Sequence, residues 1–261
     1  MAKISTSNPL ARFPRAVHEL KQRVIGISAG EPGSRKTSFW LEAPGPVVVF
    51  SFDQGMEGVV NRIVEENPSK EIYISEYDWV PDAEGNFTQE QAQEIRDRFT
   101  DDYEHALHNA RTVLIDKETD LWSIFRYAEF GAPMADQQKD FDKVNARMRR
   151  VVNAAKPLDI NLGFVDSLKD EWGAVVNKKT GAVGRGPTGE RIRSGFNELD
   201  GLVHVELYHT GHGAKTWTMT VGKVRGAGNP EVADQTFREP VLTFPEFALL
   251  MFPGSKESDW E

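Results

Sequence analysis

The chain has 261 residues, of which 39% are hydrophobic, a formal net charge of -9 at pH 7 and no cysteine. That length supports one substantial α/β domain or two small ones, and one domain with insertions is expected. The acidic balance excludes a surface that coats duplex DNA by broad phosphate neutralisation, and the lack of cysteine excludes disulfides, thiolate metal sites and a cysteine nucleophile.

No window approaches the ~18 uninterrupted apolar residues of a membrane span, and the polar start MAKISTSNPLARFP lacks the apolar core of a secretory signal. A cytoplasmic protein with no membrane partner is therefore expected. Short β-branched runs alternate with longer amphipathic stretches, the pattern of an α/β fold with a mostly parallel central sheet flanked by helices. Strands are expected at 24–28, 47–52, 112–116, 160–165, 203–208 and 217–224. Residues 1–21 read as an N-terminal extension, 22–252 as the domain and 253–261 as a C-terminal tail.

The first strand leads into GEPGSRKTS, Gly30 to Ser38. A phosphate-binding loop has the pattern Gly, four residues, Gly, Lys, then Ser or Thr; Gly30, Lys36 and Thr37 fit, and Arg35 stands in the second glycine's place. Such a loop needs a strand before it and a helix after it, because backbone N–H groups and the positive helix end converge on the phosphates. KTSFWLEA can begin that helix. Gly30 and Gly33 allow the tight turns, with Ser34 and Ser38 completing the candidate nucleotide-binding segment. Lys36 can reach the terminal phosphates and the Thr37 hydroxyl can hold magnesium. Arg35 can crowd the loop, yet guanidinium is also a good phosphate partner, so binding is expected to survive better than hydrolysis. The plainer alternative is an ordinary turn followed by a helix.

Next, VVVFSFDQGMEG places Asp53 and Glu57 just past a strand, at the carboxyl edge where ligands collect in open α/β sheets. Either can polarise an attacking water, Glu57 being preferred, and turn formation is the alternative role. Residues 75–89, with YDWVPDAEGNF, read as a loop. From Thr88 to Asn109, Ala92, Ile95, Phe99, Tyr103, Ala106 and Leu107 recur at helical spacing, and 135–155 repeats the pattern. Between them RTVLIDKETDLW runs from an apolar strand into Asp116, where a carboxylate would orient magnesium-bound water. Glu118 is a third candidate carboxylate.

INLGFVDSLKDEW carries Ser167 and Lys169 at a strand exit. In NKKTGAVGRGPTGERIRSG, the cations Lys178, Lys179, Arg185, Arg191 and Arg193 fall among glycines with Glu190 opposing them. This reads as a mobile cationic loop which, with Trp172 for stacking, can bind single-stranded DNA; packing is the alternative role for the Trp. His204, His209 and His212 occur without a matching carboxylate at a recognised spacing, and no metal site is expected there. Finally, Lys223 and Arg225 are two apart on a strand and point to one side, either as a phosphate-seeking pair or as a solvated edge.

In their order these stretches resemble the RecA-like P-loop ATPases of bacteriophages, in particular the small phage nucleotide-binding proteins related to single-strand-annealing recombinases and to the ATPase cores of RadA and DnaB. Four places carry the resemblance: GEPGSRKT, VVVFSFDQG, TVLIDKETDLW with Thr119, and TVGKVRGAGNP. It spans roughly residues 22–252 and implies ATP and Mg2+ as ligands, Asp116 as the Walker B residue, and a ring or filament. In such an assembly Lys223 and Arg225 would reach a neighbour's nucleotide. It further implies a slow ATPase acting on single-stranded DNA in recombination, annealing or replication within the host cytoplasm. The departure at Arg35 bears on hydrolysis. The alternative is a non-catalytic or nucleotide-regulated assembly protein that keeps the fold to bind other phage proteins.

Overall fold

A computed structural model of the chain describes residues 22–52, 55–80, 87–131, 141–176, 183–211, 216–226, 228–238 and 242–261. In chain order these form β1 (Ile25–Gly30), α1 (Lys36–Leu41), β2 (Val47–Ser51), α2 (Glu57–Glu66), β3 (Ile72–Glu76), α3 (Gln89–Asn109), β4 (Thr112–Asp116) and α4 (Glu118–Phe130). They continue with α5 (Phe141–Ala155), β5 (Asn161–Asp166), β6 (Leu168–Val176), β7 (Val183–Arg193), α6 (Leu199–Leu202), β8 (Val205–Gly211), β9 (Trp217–Val224), β10 (Thr236–Arg238) and α7 (Phe244–Met251).

Eight strands make one sheet in the order β10-β9-β8-β1-β5-β4-β2-β3, and β6 pairs with β7 alone. From β8 to β3 every neighbour is parallel; β9 runs antiparallel to β8, and β10 antiparallel to β9. All six strands expected from the sequence are present, with shifts of one to three residues at some ends. The chain leaves β1 for β2, three places away, and later inserts β5 beside β1. Strand order thus reverses around β1, and a crevice opens at the carboxyl ends there, the usual place for a ligand in an open α/β sheet.

Helices cover both faces. Phe99, Tyr103, Phe125, Met148 and Val152 from α3, α4 and α5 meet Ile25, Ile27, Phe50, Ile115 and Phe164 on one side. Phe39, Trp40, Phe244 and Phe247 from α1 and α7 meet Val47, Val49, Leu114, Val205 and Leu207 on the other. The strand residues divide between the faces by the period of two. Close seating of α1 depends on Gly163 of β5, where a Cβ would fall 2.4 Å from the Trp40 ring. Segment 253–261, set apart as a tail in the sequence reading, carries Trp260 into the second layer, 1% exposed and stacked on Phe252 at 5.4 Å.

α3 begins where its pattern predicts, because Thr88 closes a capping box: its hydroxyl accepts the Gln91 N–H and the Gln91 side chain accepts the Thr88 N–H. The second expected helix starts at Phe141, and residues 135–140 lie outside the described ones. The stretch 75–89, read as a loop, contributes its first two residues to edge strand β3. Among the described residues no helix is long and apolar enough to cross a membrane.

Candidate functional site

The loop after β1 is shaped by contacts far away in sequence. A Cβ on Gly30 would sit 2.1 Å from the carbonyl oxygen of His209 on β8, so only glycine fits against that backbone. Ser34 is buried and its hydroxyl donates to the Glu31 carbonyl at 2.7 Å. Gly33 and Arg35 both take left-handed backbone, φ 75° and φ 69°. The position where the phosphate-loop pattern asks for glycine is therefore one that costs a side-chain-bearing residue about 1–2 kcal/mol. The Arg35 side chain leads back along α1, where Nη2 meets Glu42 Oε1 at 3.0 Å, and its guanidinium lies 5.5 Å from the Trp217 ring centre. Glu42 also accepts the Phe244 N–H at 3.3 Å, and the Trp217 indole N–H donates to the Gly33 carbonyl at 3.0 Å. Arg35 thus joins the loop to α7 and β9, a role the sequence reading did not give it.

The Lys36 ammonium folds over the loop mouth, donating to the carbonyls of Gly30 at 3.0 Å and Glu31 at 2.7 Å. Thr37 Oγ1 donates to Asp116 Oδ2 at 2.8 Å. Asp116, 4% exposed, ends β4 and stands level with Ser51 of β2 and Val165 of β5. Buried Ser38 instead accepts from Arg62 of α2 at 2.9 Å. Among the described residues no group of three or more His, Cys, Asp or Glu could hold a metal by itself. One carboxylate paired with one hydroxyl beside this loop nevertheless fits Mg2+, which takes few protein oxygens and completes its shell with water and substrate phosphates. Lys36 and the loop fit those phosphates.

Beneath the loop, His209 Nε2 lies 3.1 Å from Ser28 Oγ, which accepts the Trp40 indole N–H at 3.0 Å. Burial, with Lys36 and Arg35 nearby, pushes the imidazole pKa down to about 3. His209 is a neutral support for the strand pair that frames the loop. His204 lies at the other end of β8, ahead of its first paired residue, and His212 lies outside the described residues.

Beside Asp116 lies a buried ionic hub that the sequence reading did not assemble. Asp166 ends β5 between β1 and β4, accepts the Thr119 N–H at 3.1 Å and hydroxyl at 2.7 Å, and pairs with Arg193 at 2.8 Å. Arg193 also meets Glu118 at 3.4 Å and Asp200 at 2.7 Å, and donates to the carbonyls of Ser194 and Phe196. Glu118, 0% exposed, accepts the Phe196 N–H. Burial, aided by the Asp166 charge, drives its carboxyl well above the usual range; burial raises Asp166 too, against the pull of Arg193. Glu118 is accordingly a core group with no open approach for an attacking water.

The cationic stretch requires correction. Its described part is strand β7 of a β6–β7 hairpin, and Arg193, 8% exposed, is a buried anchor that presents nothing to a nucleic acid. Arg191 is exposed but engaged with Glu31 at 2.8 Å and Asp170 at 3.3 Å. Pairing with β6 sets Asp170 opposite Arg191, so the local charge is more balanced than the stretch by itself suggests. Arg185 is exposed, Lys169 likewise on β6, and Trp172 is 58% exposed. Ser167 serves the turn, its carbonyl accepting the N–H and hydroxyl of Ser194. Lys178 and Lys179 lie outside the described residues, as does Asp53; Glu57 opens α2, and its side chain lies outside them too.

Lys223 and Arg225 belong to the opposite edge of the sheet. Gly211 pairs with Trp217 and Val205 with Val224, so β9 starts at the loop and ends away from it. His209, level with Gly30, is four residues along β8 from Val205, about 13 Å of strand. Both cations are exposed, and Arg225 donates to the Gly201 carbonyl at 3.1 Å. Within one chain they stand apart from Lys36, Thr37 and Asp116. Of the residues not singled out from sequence, Asp166 had a visible signal, since it follows an apolar strand as Asp116 does. Trp217 had none, because its partner Gly33 is distant along the chain; Glu42 is seven residues from Arg35, but nothing in the local pattern marked the pair.

No protein-family model matches the chain, and comparison with curated proteins finds no match.

Proposed function

We propose that the chain is a RecA-like P-loop protein that binds ATP with Mg2+ and hydrolyses it slowly within a homo-oligomer, acting on single-stranded DNA in phage recombination, annealing or replication. The observation that carries this reading is the 2.8 Å Thr37–Asp116 hydrogen bond, which joins the residue after the loop lysine to the carboxylate ending β4, a parallel strand two places from β1 in the sheet. Chance turns followed by helices do not require that pairing.

In this mechanism Lys36 leaves the Gly30 and Glu31 carbonyls for the terminal phosphates, and the loop N–H groups surround them. Thr37 and Asp116 would hold Mg2+, which would supply neutralising charge to the phosphates. Glu57 polarises the attacking water. Lys223 and Arg225 serve the nucleotide of a neighbouring subunit, in keeping with their place at the far edge of their own sheet.

The test is ATP binding and turnover with and without Mg2+ and single-stranded DNA. Lys36→Ala should weaken ATP binding by roughly 10–100-fold, the worth of charged hydrogen bonds, and Asp116→Asn should remove Mg2+-dependent turnover. The engagement of Arg35 with Glu42 and Trp217 in glycine's place favours, as a second reading, a nucleotide-regulated or non-catalytic assembly protein. ATP binding without turnover would select that reading, and absence of ATP binding by the wild type would sink the first.

A further inference from the structure

On α4, the guanidinium of Arg126 lies over the Trp122 ring, 4.3 Å from its centre. Its Nη2 donates to Ser123 Oγ at 3.0 Å, and it makes no ion pair among the described residues although acidic residues outnumber basic ones 40 to 31. Arg126 Nε and Trp122 Nε1 are buried donors without a partner. Each such group costs about 1–3 kcal/mol, and burial lowers the arginine pKa against a smaller opposing pull from Tyr127. Two unsatisfied donors beside an unneutralised cation make an arrangement that an oxyanion would complete.

We propose that Arg126 and Trp122 form a phosphate site on α4. Rotation of the half-exposed arginine turns its Nε and Nη edge outward as a side-on fork for two phosphate oxygens, and the indole N–H meets a third. A tetrahedral anion supplies that third oxygen; a planar carboxylate does not. The Trp122 ring is already engaged by Arg126 and by Phe196 at 6.4 Å, so the site takes phosphate in preference to a stacked base. Behind it, Ser123 donates to the Thr119 carbonyl at 2.9 Å and Thr119 to Asp166, linking the site by hydrogen bonds to the edge that holds Asp116. The phosphate can belong to a nucleic-acid strand, which rests on the reading proposed above, or be free phosphate, which does not.

The experiment measures binding of a labelled oligothymidylate by anisotropy and of inorganic phosphate by calorimetry. Wild type, Arg126→Gln, Arg126→Lys and Trp122→Phe are compared, with thermal melting of each to establish folding. A strand site gives roughly tenfold weaker oligothymidylate binding in all three variants, with no effect of millimolar phosphate. A free-phosphate site gives saturable phosphate binding that is lost in the same variants. Arg126→Lys discriminates, because a merely structural positive charge would be rescued by lysine and a fork would not. Equal binding of both probes by folded variants and wild type, or binding of neither probe by the wild type, overturns the proposal. Repeating the set with Lys36→Ala separates the two readings, since Arg126-dependent binding that persists there leaves this site standing whatever becomes of the ATP site.

Discussion

Arg35 occupies a left-handed position that glycine fills without steric cost, and its side chain compensates by pairing with Glu42. These contributions separate in two variants. Arg35→Ala loses the pair and keeps the strained backbone, whereas Arg35→Gly loses the pair and relieves it, so urea unfolding should find the glycine variant more stable than the alanine variant by about 1 kcal/mol. Equal stabilities would mean that the left-handed backbone stores no strain. His209 adds a pH dependence. Its pKa falls from 6.5 to about 3 on folding, so its contribution is present above pH 6.5 and is lost as pH drops from 6.5 towards 3, at about 1.4 kcal/mol per unit. Between pH 7 and 4 the wild type should lose stability more steeply than His209→Gln; parallel curves would remove His209 from the account.

Elements hang on the Arg193 hub. It fastens the end of β7 to the ends of β5 and α4 through Asp166 and Glu118. Breaking a buried ion pair by removing one partner costs about 3–5 kcal/mol, and Arg193→Leu should lose that much in denaturant unfolding. Arg191→Ala, at a half-exposed pair with Glu31, should lose no more than about 1 kcal/mol. Comparable losses in the two variants would refute the division between anchor and surface. The hairpin was illegible in sequence for a physical reason. Its glycines and charges match loop composition, and the strand character of β7 comes from pairing with β6, which local patterns do not report. By contrast the central strands were legible, because strands buried on both faces read as continuous apolar runs.

At the scale of the whole molecule, one sheet separates two sets of residues that the proposed reaction requires together. Lys36, Thr37 and Asp116 lie at the carboxyl edge, while Lys223 and Arg225 lie at the other. If the cations serve a neighbour's nucleotide, Lys36→Ala and Arg225→Ala should each lack turnover alone and regain part of it when mixed, since some interfaces then combine an intact loop with an intact Arg225. A mixture as inactive as its components, under conditions where subunits exchange, would exclude action across an interface. The sequence by itself determined the α/β class, six of the sheet's strands and the residues of the loop, because these follow from apolar periodicity and local turn chemistry. Tertiary structure alone decided that Thr37 meets Asp116, that Arg35 is held by Glu42 and Trp217, that Arg193 is buried, and that Lys223 and Arg225 face away from their own loop. Apart from the Arg35–Glu42 pair, which spans the two ends of α1, each of these depends on which strands become neighbours and in which direction they run, and such pairing is set by contacts among residues dozens to hundreds of positions apart.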